Sequence, residues 1–143
     1  MFEETNPNSP ATIFLVEEDG DTRTHLTHNL RRRGYRLLVA ADLKDAFEWM
    51  SGQSPIHADL VLIDLIGKSV EEALSIGQRL RSHAKYDGHT PLVVLPEKIP
   101  QELEGRDDKV NGNDWVCYYE DSAQLHKLLD SLLDKTPRGV EIS

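Results

Sequence analysis

Five short, uninterrupted apolar runs set the limits on what this chain can fold into. They are Ile13-Phe14-Leu15-Val16, Leu37-Leu38-Val39-Ala40, Leu60-Val61-Leu62-Ile63, Leu92-Val93-Val94-Leu95 and Trp115-Val116-Cys117-Tyr118. Each is too short for a helix. The first four do not alternate with polar residues, so they read as strands covered on both faces, the signature of a parallel sheet.

The segments between the runs carry helix periodicity and start signals. Asp21 can cap a first helix bearing Leu26 and Leu30, with Gly34 as its stop. Asp42 precedes Leu43, Ala46, Phe47 and Met50, which share one face. Ser69 and Glu72 have capping-box spacing ahead of Val70, Ala73, Leu74 and Gly77. Asp121 and Gln124 open a helix with Leu125, Leu128, Leu129, Leu132 and Leu133. The stretch from Ile99 to Val110 has few apolar residues, a glycine and an Asp107-Asp108 pair. A short or mobile helix is expected there. Strand–helix alternation repeated five times implies an α/β fold with a parallel sheet.

The chain has 143 residues, which suits one domain. Residues 1–11 read as a flexible leader, 12–135 as the domain and 136–143 as a tail. Sixteen basic residues against 25 acidic give a net charge of −9, the wrong sign for direct binding to a phosphate backbone. No apolar run approaches a membrane span, and the polar, acidic N-terminus does not read as a secretory signal. The lone Cys117 excludes an internal disulfide and a multi-cysteine zinc site. A cytoplasmic location is the expectation.

In open parallel sheets, ligands bind beyond the carboxyl ends of the strands. The first run ends in Glu17-Glu18-Asp19, the third in Asp64, the fourth in Pro96-Glu97 and the fifth in Tyr118-Tyr119-Glu120. Glu17, Glu18 and Asp64 are therefore expected to converge on one rim. Carboxylates that close repel one another unless a proton or a cation lies among them. A hard ion such as Mg2+ suits such a pocket, and a carboxylate beside it can attack phosphorus to give an acyl phosphate.

Several stretches together resemble the response-regulator receiver domains of two-component signalling. Leu15-Val16-Glu17-Glu18-Asp19 leading into Leu30-Arg31-Arg32-Arg33-Gly34-Tyr35 resembles a receiver's first strand and helix. Asp59-Leu60-Val61-Leu62-Ile63-Asp64-Leu65 resembles the strand that carries the phosphoacceptor. Thr90-Pro91-Leu92-Val93-Val94-Leu95 and Asn113-Asp114-Trp115-Val116 resemble the fourth and fifth strands. The likeness runs from about Thr12 to Lys135. It implies a flavodoxin-like (βα)5 doubly wound sheet of three layers with strand order 2-1-3-4-5. It also implies Asp64 as phosphoacceptor, Mg2+ held by Glu17, Glu18 and Asp64, and a histidine kinase or phosphotransfer protein as donor. A downstream protein target follows from the same likeness, with a homodimer as a further option.

The chain departs from the family's pattern at two switch positions. Pro96 stands where a hydroxyl residue belongs, with neither a hydroxyl nor an N–H to donate. Tyr118 stands where a phosphate-pairing lysine belongs, and a phenol has no charge at neutral pH. Tyr119 follows where a cis proline is usual. Lys68 and Lys98 are candidate substitute cations. The alternative reading is therefore a non-phosphorylated pseudo-receiver used for docking or dimerisation. A phosphatase-like enzyme needs an Asp-x-Asp strand end, and Asp19-Gly20-Asp21 matches that spacing but opens a helix. His25 and His28 lack a third metal ligand, Arg31-Arg32-Arg33 complements a helix C-terminus, and Cys117 reads as a structural thiol.

Overall fold

A computed structural model describes residues 10–51, 57–84, 86 and 89–133. The elements are β1 (Thr12–Glu17), α1 (Gly20–Arg32), β2 (Arg36–Ala40), α2 (Leu43–Met50), β3 (Leu60–Asp64), α3 (Val70–His83), β4 (Leu92–Val94), β5 (Asp107–Asn111), β6 (Asp114–Cys117) and α4 (Ser122–Leu132). A 3-10 turn at Gln101–Leu103 lies between β4 and β5. The expected tail lies outside the described residues.

All five apolar runs supply strands. They form a parallel array ordered β2-β1-β3-β4-β6, and β5 adds an antiparallel edge beside β6. The expected order 2-1-3-4-5 is thus present, with one strand more. The correction concerns the (βα)5 repeat. Ile99–Val110 forms no fourth helix; it makes the 3-10 turn and then β5, so the described residues hold four α-helices. Gly105 and the Asp107-Asp108 pair are poor helix formers, and a hairpin partner is close at hand. Asp108 pairs with Val116 and Lys109 with Trp115. Tyr118 N–H donates to the Arg106 carbonyl at 2.8 Å, and Gly105 N–H to that of Tyr118 at 2.7 Å. The two-residue turn between the strands is Gly112-Asn113, a Gly-Asn hairpin signal.

Three of the four helices start where the sequence indicates. Asp42 accepts from Asp45 N–H at 2.8 Å and Asp121 from Gln124 N–H at 2.9 Å. Ser69 and Glu72 form the reciprocal capping box, at 2.9 and 3.1 Å. The first helix is the exception. Asp19 rather than Asp21 is its cap, accepting from Thr22 N–H at 2.8 Å, and Asp21 falls in the first turn, where its charge favours the dipole. Gly34, at φ 95°, ends the helix.

The central strands β1, β3 and β4 are buried on both faces, which is why they are nearly all apolar. On one face, Ile13, Leu15, Leu62, Val93 and Cys117 pack against Leu26 and Leu30 of α1 and Leu125 and Leu129 of α4. On the other, Phe14, Val16, Ile63, Leu92 and Val94 meet Ala46 and Met50 of α2 and Ala73 and Leu80 of α3. Each fully buried Leu or Ile contributes about 1.5–3 kcal/mol. Gly77 lets α3 sit close to the sheet, because a Cβ there would lie 2.6 Å from Leu92 Cδ1. No helix among the described residues is long and apolar enough to cross a membrane.

Candidate functional site

The chain leaves β1 for β2 on one side and returns to β3 on the other. This reversal creates a crevice at the carboxyl ends of β1 and β3, the place where doubly wound sheets bind ligands. The strand register puts Glu17 directly beside Asp64. The two residues are 47 positions apart in the chain, and only parallel pairing of the first and third runs brings them together.

Burial turns this proximity into chemistry. Glu17 is 1% exposed. Desolvation, a hydrogen bond to Asp64 and the Asp64 charge together push its pKa up to about 9. Asp64 is also raised, first by burial and then by the charges of Asp19, Glu97 and Glu18, while its hydrogen bond from Glu17 lowers it. At neutral pH Glu17 therefore keeps its proton and can donate it to Asp64. Glu17 Oε2 accepts from Asp19 N–H at 3.2 Å, and no donor among the described residues serves the buried Oε1. Arg23 approaches this end of β1 but donates to the Glu17 carbonyl, at 2.8 Å, leaving the carboxyl without a cation from that side.

Glu18 lies on the same rim. Its Oε1 accepts from Ile66 N–H at 2.7 Å, which ties the end of β1 to the loop after Asp64. Glu97 does the same from β4, accepting from Gly67 N–H at 2.8 Å. Glu17 and Asp64 are thus in direct contact, while Glu18 and Glu97 surround them with one oxygen each already engaged. Among the described residues, no three Asp, Glu, His or Cys side chains form a ready metal cage. The donor set still fits Mg2+, which takes one or two carboxylates and completes its shell with water. The unserved Glu17 Oε1 beside Asp64 is the observation that supports this fit.

The two switch positions separate. Pro96 follows β4 and lines the cleft beside Asp64. Tyr118 does not face that cleft: its hydroxyl environment is set by Asp108, Arg106 and Glu71 after burial, which raises its pKa. Tyr119, the next residue, lines the cleft with Asp64. Lys68 and Lys98 share a neighbouring pocket beyond Glu97, with Pro96 on its wall. Asp114 is a buried acid that the sequence does not single out. It is 2% exposed, lies 2.8 Å from Arg81 Nη1 and accepts from Gln78 Nε2 at 2.8 Å, which pins α3 to β6. An aspartate opening an apolar run was its one signal.

Solved structures share this fold. A response regulator receiver protein from Sinorhizobium medicae superposes with a TM-score of 0.65 at 18% identity, covering 87% of this chain and 95% of its own. The fold is that of a receiver domain. Chemotaxis protein CheY4 of Vibrio cholerae gives 0.58 at 21% identity, with 86% and 98% covered. The response regulator TrrA of Thermotoga maritima, solved with Mg2+ and BeF, gives 0.60 at 18% identity, with 85% and 98% covered. No family model matches the sequence, and no curated protein matches it. At these identities the receiver fold is what the structures share with this chain.

Proposed function

We propose that this receiver-fold protein works in two-component phosphorelay signalling, with Asp64 accepting a phosphoryl group and the modified domain acting by binding another protein. The observation that carries this reading is the Glu17–Asp64 pair at the β1/β3 crevice. Glu17 keeps its proton while no metal is bound, and Mg2+ would displace that proton; Asp64 is the nucleophile. Its carboxylate oxygen forms the new bond to phosphorus, the donor's bond to phosphorus breaks, and the leaving group keeps the electron pair. Glu17 and Asp64 would hold Mg2+, with Glu18 at the rim. When bound, that ion neutralises charge on the phosphoryl oxygens. A histidine kinase or phosphotransfer protein is the natural donor, and a downstream protein the target.

A second reading is a pseudo-receiver that docks or dimerises without being phosphorylated. Pro96 and the position of Tyr118 beside Glu71 and Asp108 favour it. They remove a hydroxyl donor and a cation from the groups that would stabilise transferred charge. Incubation with acetyl phosphate and Mg2+, followed by intact-mass measurement, decides between them. A phosphoryl adduct that disappears in Asp64→Asn supports the first reading. Absence of an adduct with Mg2+ or Mn2+ leaves the second.

A further inference from the structure

A cavity of about 300 Å³ opens beside Asp64 on the side of the sheet covered by α1. It is twice the ~150 Å³ of an engineered cavity that admits benzene, and it lies at the small end of the range for ligand pockets. Its apolar surface comes from Leu26 of α1, Leu95 and Pro96 after β4, and Ile99. Leu26 and Leu95 are buried, so these walls are part of the packed core rather than an exposed patch. Asp64 and Glu97 supply carboxyl groups, while no lysine or arginine lines the space. His25 and Asn29 project from α1 as further polar groups.

We infer that this cavity binds a small organic cation, a protonated amine on a compact apolar body, with the ammonium directed to Asp64 and Glu97. The volume excludes large ligands. The charge pattern favours cations over anions, since the charges of Glu18 and Asp19 act on Asp64 beside that of Glu97. An apolar body recovers the hydrophobic contact that Leu26, Leu95, Pro96 and Ile99 offer. The side chain at 96 matters for shape. Proline makes the wall apolar at the position where the family's hydroxyl would have put a polar group. The inference does not require Asp64 to be phosphorylated, and such a ligand would compete with Mg2+ for the same carboxylate.

Phenethylamine is a suitable probe, and 2-phenylethanol is its uncharged counterpart. Binding is followed by amide and side-chain NMR on the full chain in EDTA, without acetyl phosphate, so failure of the phosphoryl-acceptor reading leaves the measurement intact. The amine is expected to shift signals of His25, Asn29 and Ile99 in a saturable way, and the alcohol to bind at least about tenfold more weakly. Glu97→Gln should narrow that gap, and Ile99→Trp should abolish binding by filling the space while the remaining amide spectrum stays folded. Equal affinity for amine and alcohol overturns the inference, as does unchanged binding in a folded Ile99→Trp chain. No saturable shift at millimolar amine also overturns it.

Discussion

Replacing Glu17 by glutamine tests the shared proton directly. The amide has nearly the size of the protonated acid and can still donate to Asp64, but it cannot ionise. Folding raises the Glu17 pKa from 4.5 to about 9, so over that window the folded chain binds more protons than the unfolded one. Stability from this group is complete below its unfolded value and is lost as pH climbs toward the folded value. One proton amounts to about 1.4 kcal/mol per pH unit, so the wild-type chain should lose about 3 kcal/mol from this group between pH 5.5 and pH 8. Urea unfolding of both chains, followed by circular dichroism at several pH values, gives the difference with the other carboxylates cancelled. Glu17→Gln should gain on the wild type steadily as pH rises, by about 3 kcal/mol over that interval. Added MgCl2 should raise the wild-type midpoint at pH 8 and leave that of Glu17→Gln nearly unmoved. A difference that stays flat with pH, or a glutamine chain that weakens relative to wild type at pH 8, would refute the buried shared proton.

Other perturbations probe the surroundings. Asp114→Ala leaves the Arg81 guanidinium without its buried partner and should cost about 3–5 kcal/mol in urea unfolding; a loss below about 1 kcal/mol contradicts a buried pair. Gly77→Ala gains about 1 kcal/mol of helix propensity, but the new methyl meets both Leu92 methyls and Ile63. The expected net result is a loss of about 1–2 kcal/mol, and a stabilised chain would show that α3 can shift freely. The double change Pro96→Thr with Tyr119→Lys puts a hydroxyl and a cation into the cleft that Asp64 lines, and intact-mass time courses with acetyl phosphate should show adduct forming at least about tenfold faster. An unchanged rate would mean that side chains at 96 and 119 do not reach the phosphoryl group.

The apolar runs, the capping residues and the carboxylates after each run could be read from the chain alone, because each depends on neighbours within a few positions. Uninterrupted apolar residues imply two covered faces, and Ser69 with Glu72 implies a helix start, whatever surrounds them. Asp64 was identifiable for the same reason: it ends a buried run. The Gly112-Asn113 turn was equally local, yet the polar Asp107–Asn111 segment resembles no buried strand. Its pairing came from a partner, Asp114–Cys117, that offered an unfilled edge.

Tertiary structure decided the rest. Whether Tyr118 or Tyr119 lines the cleft with Asp64 depends on how the chain leaves β6 in the assembled sheet, and a one-residue difference reverses the answer. The choice of Asp19 over Asp21 as cap follows from where β1 releases the chain. The proton on Glu17 has no sequence signature at all. It exists because two strands far apart in the chain lie side by side with their terminal carboxyls in register, under enough protein that water cannot support both charges.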